Sequence, residues 1–433
     1  MRPLVMLFVG TRGVRIADTC NPLTAVADVV VATSEDILAE RADRLDGTVR
    51  ATHLLVAPSR DRLLTDGVRF AAEHPVAGAL TFSDDLVDLT ARFAAERGLP
   101  GQPVGTIPGF RDKYVQRGAL AAAGLPVPAH AVLTGTDQAA AALDRVPLPA
   151  ILKPTRGSGG ALAYVIGEPA QLDPVLAEAF GNASGAGGAV DADTEFILEG
   201  LLVGADWHRV PGFAPYVSVE SAAVDGRYLH LGVTDRFPLA PPALETGMML
   251  PSGLDAGQQA EIVEVADRAL RALDFRHGLA HTELMLTAEG PRIIEVNARA
   301  GGALPYLFGL AADVDLFQLA GQVALGRLPE RPPRFAGHGV FVAPQHPVGV
   351  EVATVDGLDQ VRGLPGVKVV IPLSLAGTRT DKFQQTMIAA VLAVADSPQD
   401  AVRVWRDVMA TVRAGYTAVD LPDHYRRAPA MVG

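Results

Sequence analysis

The chain has 433 residues, a formal net charge of -12, 49% hydrophobic residues and 20% charged ones. That length suffices for two or three domains at about 100 to 200 residues each, and the acidic balance argues against a nucleic-acid groove, which rests on clustered Lys and Arg. One cysteine, Cys20, excludes an internal disulfide and a cysteine-rich metal centre, reads as a packed thiol, and suits a reducing, cytoplasmic setting.

From the start, MRPLVMLFVGTRG reads as a first strand rather than a leader. The uncharged runs are broken by Gly and Pro short of the ~20 apolar residues that a bilayer span needs, so no membrane partner is expected. Apolar runs LVMLFV, DVVVAT, HLLVAP and VAGALTF alternate with helical stretches such as DDLVDLTARFAAERG. This pattern predicts a small α/β domain over residues 1–108 with a parallel sheet. RGLPGQPVGTIPGF, dense in Gly and Pro, reads as its boundary.

RDKYVQRGALAAAG predicts a helix from Asp112 to Gly124, with Lys113 at its start. ILKPTRGSGG then offers a strand, Lys153, and a loop of small residues whose N–H groups can approach an anion. The Lys precedes the glycines, so this is not the GxxxxGK[ST] loop; alone, it is either a phosphate cradle or a turn. GNASGAGGAV at 181–190 reads as a surface loop. EFILEGLLVGADWHRV puts Glu199 at the end of an apolar strand and Asp206 seven residues on. Trp207, His208 and Arg209 either reach a cleft, with Arg209 meeting a substrate carboxylate, or pack at the surface.

HTELML and RIIEVN, joined by TAEGP, predict a hairpin. Symmetry about Glu289 would set Glu283 opposite Glu295 and His281 opposite Asn297. Opposed side chains have Cβ atoms about 4.5–5.5 Å apart, and two like charges there need neutralising. A divalent cation such as Mg²⁺ or Mn²⁺, shared with phosphate oxygens, suits two carboxylates and an amide; the alternative is a hairpin face in water. Arg299, on the same face, suits phosphate or a carboxylate. Beyond the Pro-rich LGRLPERPPRF at 325–335, the runs GVFVAP, VKVVIPL and AAVLAVA with the helix SPQDAVRVWRDVMATVRAG predict a small α/β cap. No Ser-His-Asp or Cys-His constellation emerges.

In this order the stretches resemble the ATP-grasp superfamily, and within it the carboxylate–amine ligase branch that includes L-amino-acid (dipeptide) ligases. The resemblance covers nearly the whole chain. It implies a mixed α/β fold with an N-terminal pre-ATP-grasp domain over 1–108, an ATP-grasp domain over 109–330 with a lid at about 127–200, and a C-terminal cap over 331–433. It makes Lys113 and Lys153 the grip on ATP phosphates, with Arg156, Gly157, Ser158, Gly159 and Gly160 in the closing loop. Glu199 would accept from the adenine amino group, Leu202 would offer backbone contacts, and Asp206, one methylene shorter than the family's Glu, would meet the ribose.

The resemblance also makes Glu283, Glu295 and Asn297 the Mg²⁺ ligands. Arg299 would steady the transferred phosphoryl group, and Gly302 would turn a backbone N–H toward it. His281 would lie beside the site, and Ala303, just after the Gly-Gly, would leave room for an acyl side chain larger than alanine's. The implied reaction joins a small carboxylate to an amine through an acyl phosphate, releasing ADP and phosphate, in a cytoplasmic homodimer. Two other readings are a bicarbonate-activating carboxylase subunit and a nucleotide-binding regulatory protein without chemistry; the latter would be expected to lose the metal row.

Overall fold

The first four apolar runs form strands β1 (Leu4–Phe8), β2 (Asp28–Ser34), β3 (His53–Ala57) and β4 (Val76–Thr81). They pair in parallel in the order β3-β2-β1-β4. In this computed structural model all residues are described except 1, 12, 42, 44, 158–161, 184–194, 242, 348, 381–385 and 419–433. Near-continuous apolar strands are what a sheet covered on both faces requires. The helix Val87–Arg97 covers one face, stacks Phe93 edge-on to Phe8 with ring centres 5.1 Å apart, and stops where Gly98 turns left-handed at φ +63. Cys20 is buried in the helix Ile16–Leu23, and burial pushes its thiol up to about 11; it is a packed group, not a nucleophile.

The Gly- and Pro-dense segment after this sheet is not a free tether. Ile107 and Phe110 are buried. The side chain of Gln102 donates to the Asp274 carbonyl (2.9 Å) and accepts from the N–H groups of Arg276 (2.7 Å) and His277 (3.1 Å). Pro and Gly shape the chain here, while one amide ties it down.

A second sheet comprises β5 (His130–Leu133), β6 (Ala150–Pro154), β7 (Tyr164–Ile166) and β8 (Phe196–Gly200), in the order β5-β8-β6-β7 with antiparallel pairs. The helix Leu172–Ala183 lays Leu172, Leu176 and Ala179 on it, a spacing that keeps one apolar face inward.

Ten more strands follow: β9 (Tyr216–Val224), β10 (Arg227–Arg236), β11 (Gly247–Leu250), β12 (Gly278–Thr287), β13 (Gly290–Asn297), β14 (His338–Val342), β15 (Val350–Asp356), β16 (Val367–Pro372), β17 (Ala389–Ala395) and β18 (Arg413–Ala418). Eight form one antiparallel sheet, β13-β12-β9-β10-β11-β14-β17-β16, and β15 pairs with β18. Three strands from beyond the Pro-rich 325–335 stretch, β14, β17 and β16, therefore continue the sheet that carries the hairpin, while β15 and β18 form a pair of their own. The helix Ala256–Ala272 packs Ile262, Ala266 and Leu270 on one face. The helices Leu304–Ala311 and Leu316–Ala324 join the other face to the N-terminal sheet through a core with Val5, Leu7 and Ala222. Fully burying a single Leu or Phe there stabilises by about 1.5–3 kcal/mol.

Candidate active site

The hairpin has Glu283 paired with Glu295 and His281 with Asn297, the register that symmetry about Glu289 predicts. It arises by compensation. Thr287 pairs with Gly290, so the turn alone would set Glu283 against Ile294; a bulge between Glu283 and Leu284 leaves Ile294 unpaired and restores the Glu283–Glu295 pair. Glu283, Glu295 and Asn297 therefore share a face.

The two carboxylates are neutralised separately. Glu295 Oε1 lies 3.0 Å from Lys113 Nζ, which also donates to the Gly157 carbonyl at 3.1 Å. Glu283 Oε1 lies 3.0 Å from His281 Nε2 and 3.9 Å from Arg236 Nη2. Although burial opposes it, the His281 hydrogen bond and the charges of His281, Arg236 and Arg299 hold the Glu283 carboxyl well below its ordinary range.

His281 is buried, with Nδ1 2.6 Å from Glu220 Oε1. Burial lowers its pKa, but Glu220 and Glu283 outweigh that and raise it from 6.5 to about 9, so the ring is an imidazolium donating from both nitrogens. A raised cationic group stabilises the fold fully below its unfolded value, and that contribution is lost as pH rises through the folded one. The metal-free protein should therefore lose stability between pH 6.5 and about 9, and His281→Gln should flatten that slope; thermal melts across the interval check it.

Lys113 is placed by its helix, Lys113–Ala122, whose first turn Asp112 caps by accepting from Tyr114 N (3.0 Å) and Val115 N (3.2 Å). The same carboxylate meets Arg156 Nε at 3.2 Å. Lys153 and Glu199 are diagonal neighbours on β6 and β8, 2.8 Å apart at Nζ and Oε2. Arg117 Nη2 donates to Glu199 Oε2 at 3.1 Å, and its Nε lies 2.8 Å from Oε1 as an ion-pair contact. Burial opposes its charge, but Lys153 and Arg117 bring the Glu199 carboxyl down to about 2. Glu199 thus anchors Lys153, and both of its oxygens lie against cations.

Arg299 donates to Asp84 Oδ2 at 2.7 Å and to its neighbouring Ala300 carbonyl at 3.0 Å. Asp84 stands just beyond the carboxyl end of β4, and Arg299 holds its carboxyl below the ordinary range against burial. The N-terminal sheet therefore contributes directly to the row that carries Arg299. A Cβ on Gly301 would fall 2.8 Å from His281 Nδ1, whereas one on Gly302 would meet open space. Gly301 thus permits close packing on the imidazolium, and Gly302 faces room. Ala303 is half-buried at the start of the following helix.

Other expectations fare differently. Arg209 is 83% exposed and pairs with Asp255; a surface pair of this kind is worth little. Arg209→Ala should leave kcat/KM within about twofold in a steady-state assay. Trp207 donates to the Thr287 carbonyl, and His208 is buried against Asp235. Leu202 is half-buried and Asp206 exposed on the strap after β8. Ser158, Gly159 and Gly160, and most of the 181–190 loop, lie outside the described residues.

Arg117, Glu220, Arg236, Glu245 and Asp84 escaped the sequence reading. Arg117 sits four residues after Lys113, one helical turn on the same face. Glu220 is the lone acid in the fully buried β9, a signal by itself, since an unpaired buried charge is untenable. Arg236, also buried, hydrogen-bonds Ser218 at 3.1 Å and pairs with Glu245.

Among the described residues no three His, Cys, Asp or Glu groups converge on a metal. Two opposed carboxylates and Asn297 nevertheless fit a hard cation completed by ligands from a bound phosphate. The fold is that of ATP-grasp proteins. No family model matches the chain. It is 32% identical over 242 residues to alanine–anticapsin ligase of Bacillus subtilis (strain 168), covering 53% of this chain and 50% of that protein. It is 30% identical over 302 residues to carnosine synthase 1 of Homo sapiens, covering 65% and 35%.

The crystal structure of an L-amino acid ligase from Bacillus licheniformis superposes with a TM-score of 0.76 at 18% identity, covering 96% of this chain and 100% of that one. A biotin carboxylase from Campylobacter jejuni superposes at 0.67 and 15%, covering 96% and 93%. The chain is thus similar in sequence to alanine–anticapsin ligase and carnosine synthase 1, and in fold to an L-amino acid ligase. It spans half, or about a third, of the length of the two curated relatives named.

Proposed function

We propose that the protein is an ADP-forming ligase that joins an amino acid or related carboxylate to an amine. The observation that carries this is the Glu283–Glu295 pair opposed across the hairpin with Asn297 on the same face, between Lys113 and the Arg236–His281 group. In this reading Lys113 and Lys153 bind ATP phosphates, and Glu283, Glu295 and Asn297 hold Mg²⁺ or Mn²⁺. The cation supplies charge neutralisation at the phosphates. Residues 1–108, 109–330 and 331–433 act as pre-ATP-grasp, ATP-grasp and cap regions.

A substrate carboxylate oxygen attacks the γ-phosphorus, the P–O bond to ADP breaks, and an acyl phosphate forms. Arg299, pinned by Asp84, is pre-set for charge spreading over the transferred oxygens. The amine nitrogen then attacks the carbonyl, phosphate leaves with the bonding pair, and the amine proton passes to phosphate or solvent. The two ligases among the sequence relatives favour amide formation over bicarbonate activation, since the likeness to biotin carboxylase is one of fold. The intact metal row argues against a purely regulatory role. Among the described residues no helix is long and apolar enough to cross a membrane; the cytoplasm and a homodimer belong to this proposal.

The test is phosphate and ADP release with ATP and Mg²⁺ across amino acids and small acids, singly and in pairs, with product mass spectrometry. The expected result is release that depends on a particular pair, with a product one water lighter than its parts. Release stimulated by bicarbonate alone would overturn it.

A further inference from the structure

The row Glu283, Glu295, Asn297 lies on the last two strands of the eight-stranded sheet, and β13 is the terminal one. An edge strand presents backbone groups that its sheet does not satisfy. Here side chains satisfy them. Gln116 donates to the Val296 carbonyl at 2.9 Å and accepts from Val296 N–H at 3.0 Å, as a neighbouring strand would. Arg117 Nη2 donates at 2.7 Å to the carbonyl of Ile294, the unpaired residue of the bulge that sets the carboxylates opposite one another.

Lys113, Gln116 and Arg117 are i, i+3 and i+4 on one helix and are all buried against this edge. Gln116 and Arg117 are each 1% exposed, and a guanidinium so buried must be doubly compensated. Its second partner is Glu199, which accepts from Nη2 at Oε2 and carries the balancing charge, and Glu199 is the anchor of Lys153. One side chain therefore touches the metal strand and, through a carboxylate, fixes the lysine of the second sheet.

Charge gives the arrangement a second effect. Lys153 and Glu199 alone would sum to zero, whereas Arg117 leaves the buried trio at net +1. A lysine fully neutralised by a carboxylate at 2.8 Å is a poor ligand for phosphate; one sharing that carboxylate with a guanidinium keeps a positive field.

We propose that Arg117 is a positioning residue for nucleotide phosphates, holding Lys153 in register with the metal-bearing strand and preserving the net positive charge of the Arg117–Glu199–Lys153 trio. This rests on the ATP-binding reading above.

The test is calorimetric affinity for ATP with Mg²⁺, together with thermal melts, for the wild type, Arg117→Met, Arg117→Met/Glu199→Gln and Arg117→Lys. Wild-type failure to bind would sink the ATP reading itself. With a binding wild type, Arg117→Met should lose about tenfold or more in affinity. The double variant, restored to net +1, should recover most of it, a rescue that lost packing alone cannot produce. Arg117→Lys keeps the charge but not the guanidinium and should fall between. Unchanged affinity in Arg117→Met, or a double variant no better than the single, overturns the proposal. Should Arg117→Met fail to fold, Arg117→Lys decides: wild-type affinity there overturns it, and a several-fold loss without a matching fall in Tm upholds it.

Discussion

Glu295→Gln is expected to lower kcat by about a thousandfold or more while leaving the metal-free protein folded. The amide keeps the size of the side chain and one oxygen but removes the charge that a divalent cation needs. In the metal-free protein the same change also relieves a carboxylate pair set opposite one another across two strands, where like charges repel. What is lost is the contact with Lys113, a partly exposed pair whose lysine keeps the Gly157 carbonyl. Stability and activity should therefore separate, with Tm nearly constant and turnover almost abolished. Raised Mg²⁺ should recover only a fraction, because one of two charged ligands is gone. Single-turnover ADP release with thermal melts of the same preparations checks this; a parallel fall in both would assign Glu295 to the fold.

Arg299→Met should be the second large effect, with kcat down by about 10²–10⁴-fold and ATP affinity nearly unchanged, because the guanidinium is aimed at charge that develops during transfer. Here stability should fall as well. Removing Arg299 takes from half-buried Asp84 the nearest of the cations that hold its carboxyl low against burial, leaving only the weaker fields of Arg111 and Lys113. The sign follows from the direction of that shift: a depressed carboxyl stabilises the fold above its unfolded value, and the variant forfeits that at neutral pH. Adding Asp84→Asn to Arg299→Met should recover much of the Tm and none of the kcat. Recovery of both would make Arg299 a strut for the N-terminal sheet.

What the sequence disclosed, and what it withheld, follows the range of the interactions. The parallel pairing of β1 to β4 was legible because each strand is an apolar run bounded by turns. The carboxylate register was legible for a partly fortuitous reason: the symmetry axis belongs at Ala288–Glu289, and the bulge at Ile294 supplies the missing half-step. Arg299 and Asp84 are 215 positions apart, and no periodicity marks such a pair. Glu199 was placed correctly at the end of β8, but its partner Arg117 lies on a helix 82 residues earlier and gave no sign of the pairing. For Trp207 and His208 the sequence left open whether they reach a cleft or pack, because a strap between sheets has the composition of a loop; each is held by a partner.

The two ends of the eight-stranded sheet differ in their openness to other chains. At β13 the amide of Gln116 and the guanidinium of Arg117 fill the positions where a foreign strand would dock, so the edge that carries Glu295 is closed to strand addition and to the aggregation that exposed edges invite. At the far end β16 pairs only with β17 among the described strands and exposes Val369 beside Lys368. Seven strand spacings of about 4.8 Å separate the two edges, roughly 33 Å in all. Assembly by strand pairing would therefore grow from the end of the sheet remote from the Glu283–Glu295 hairpin.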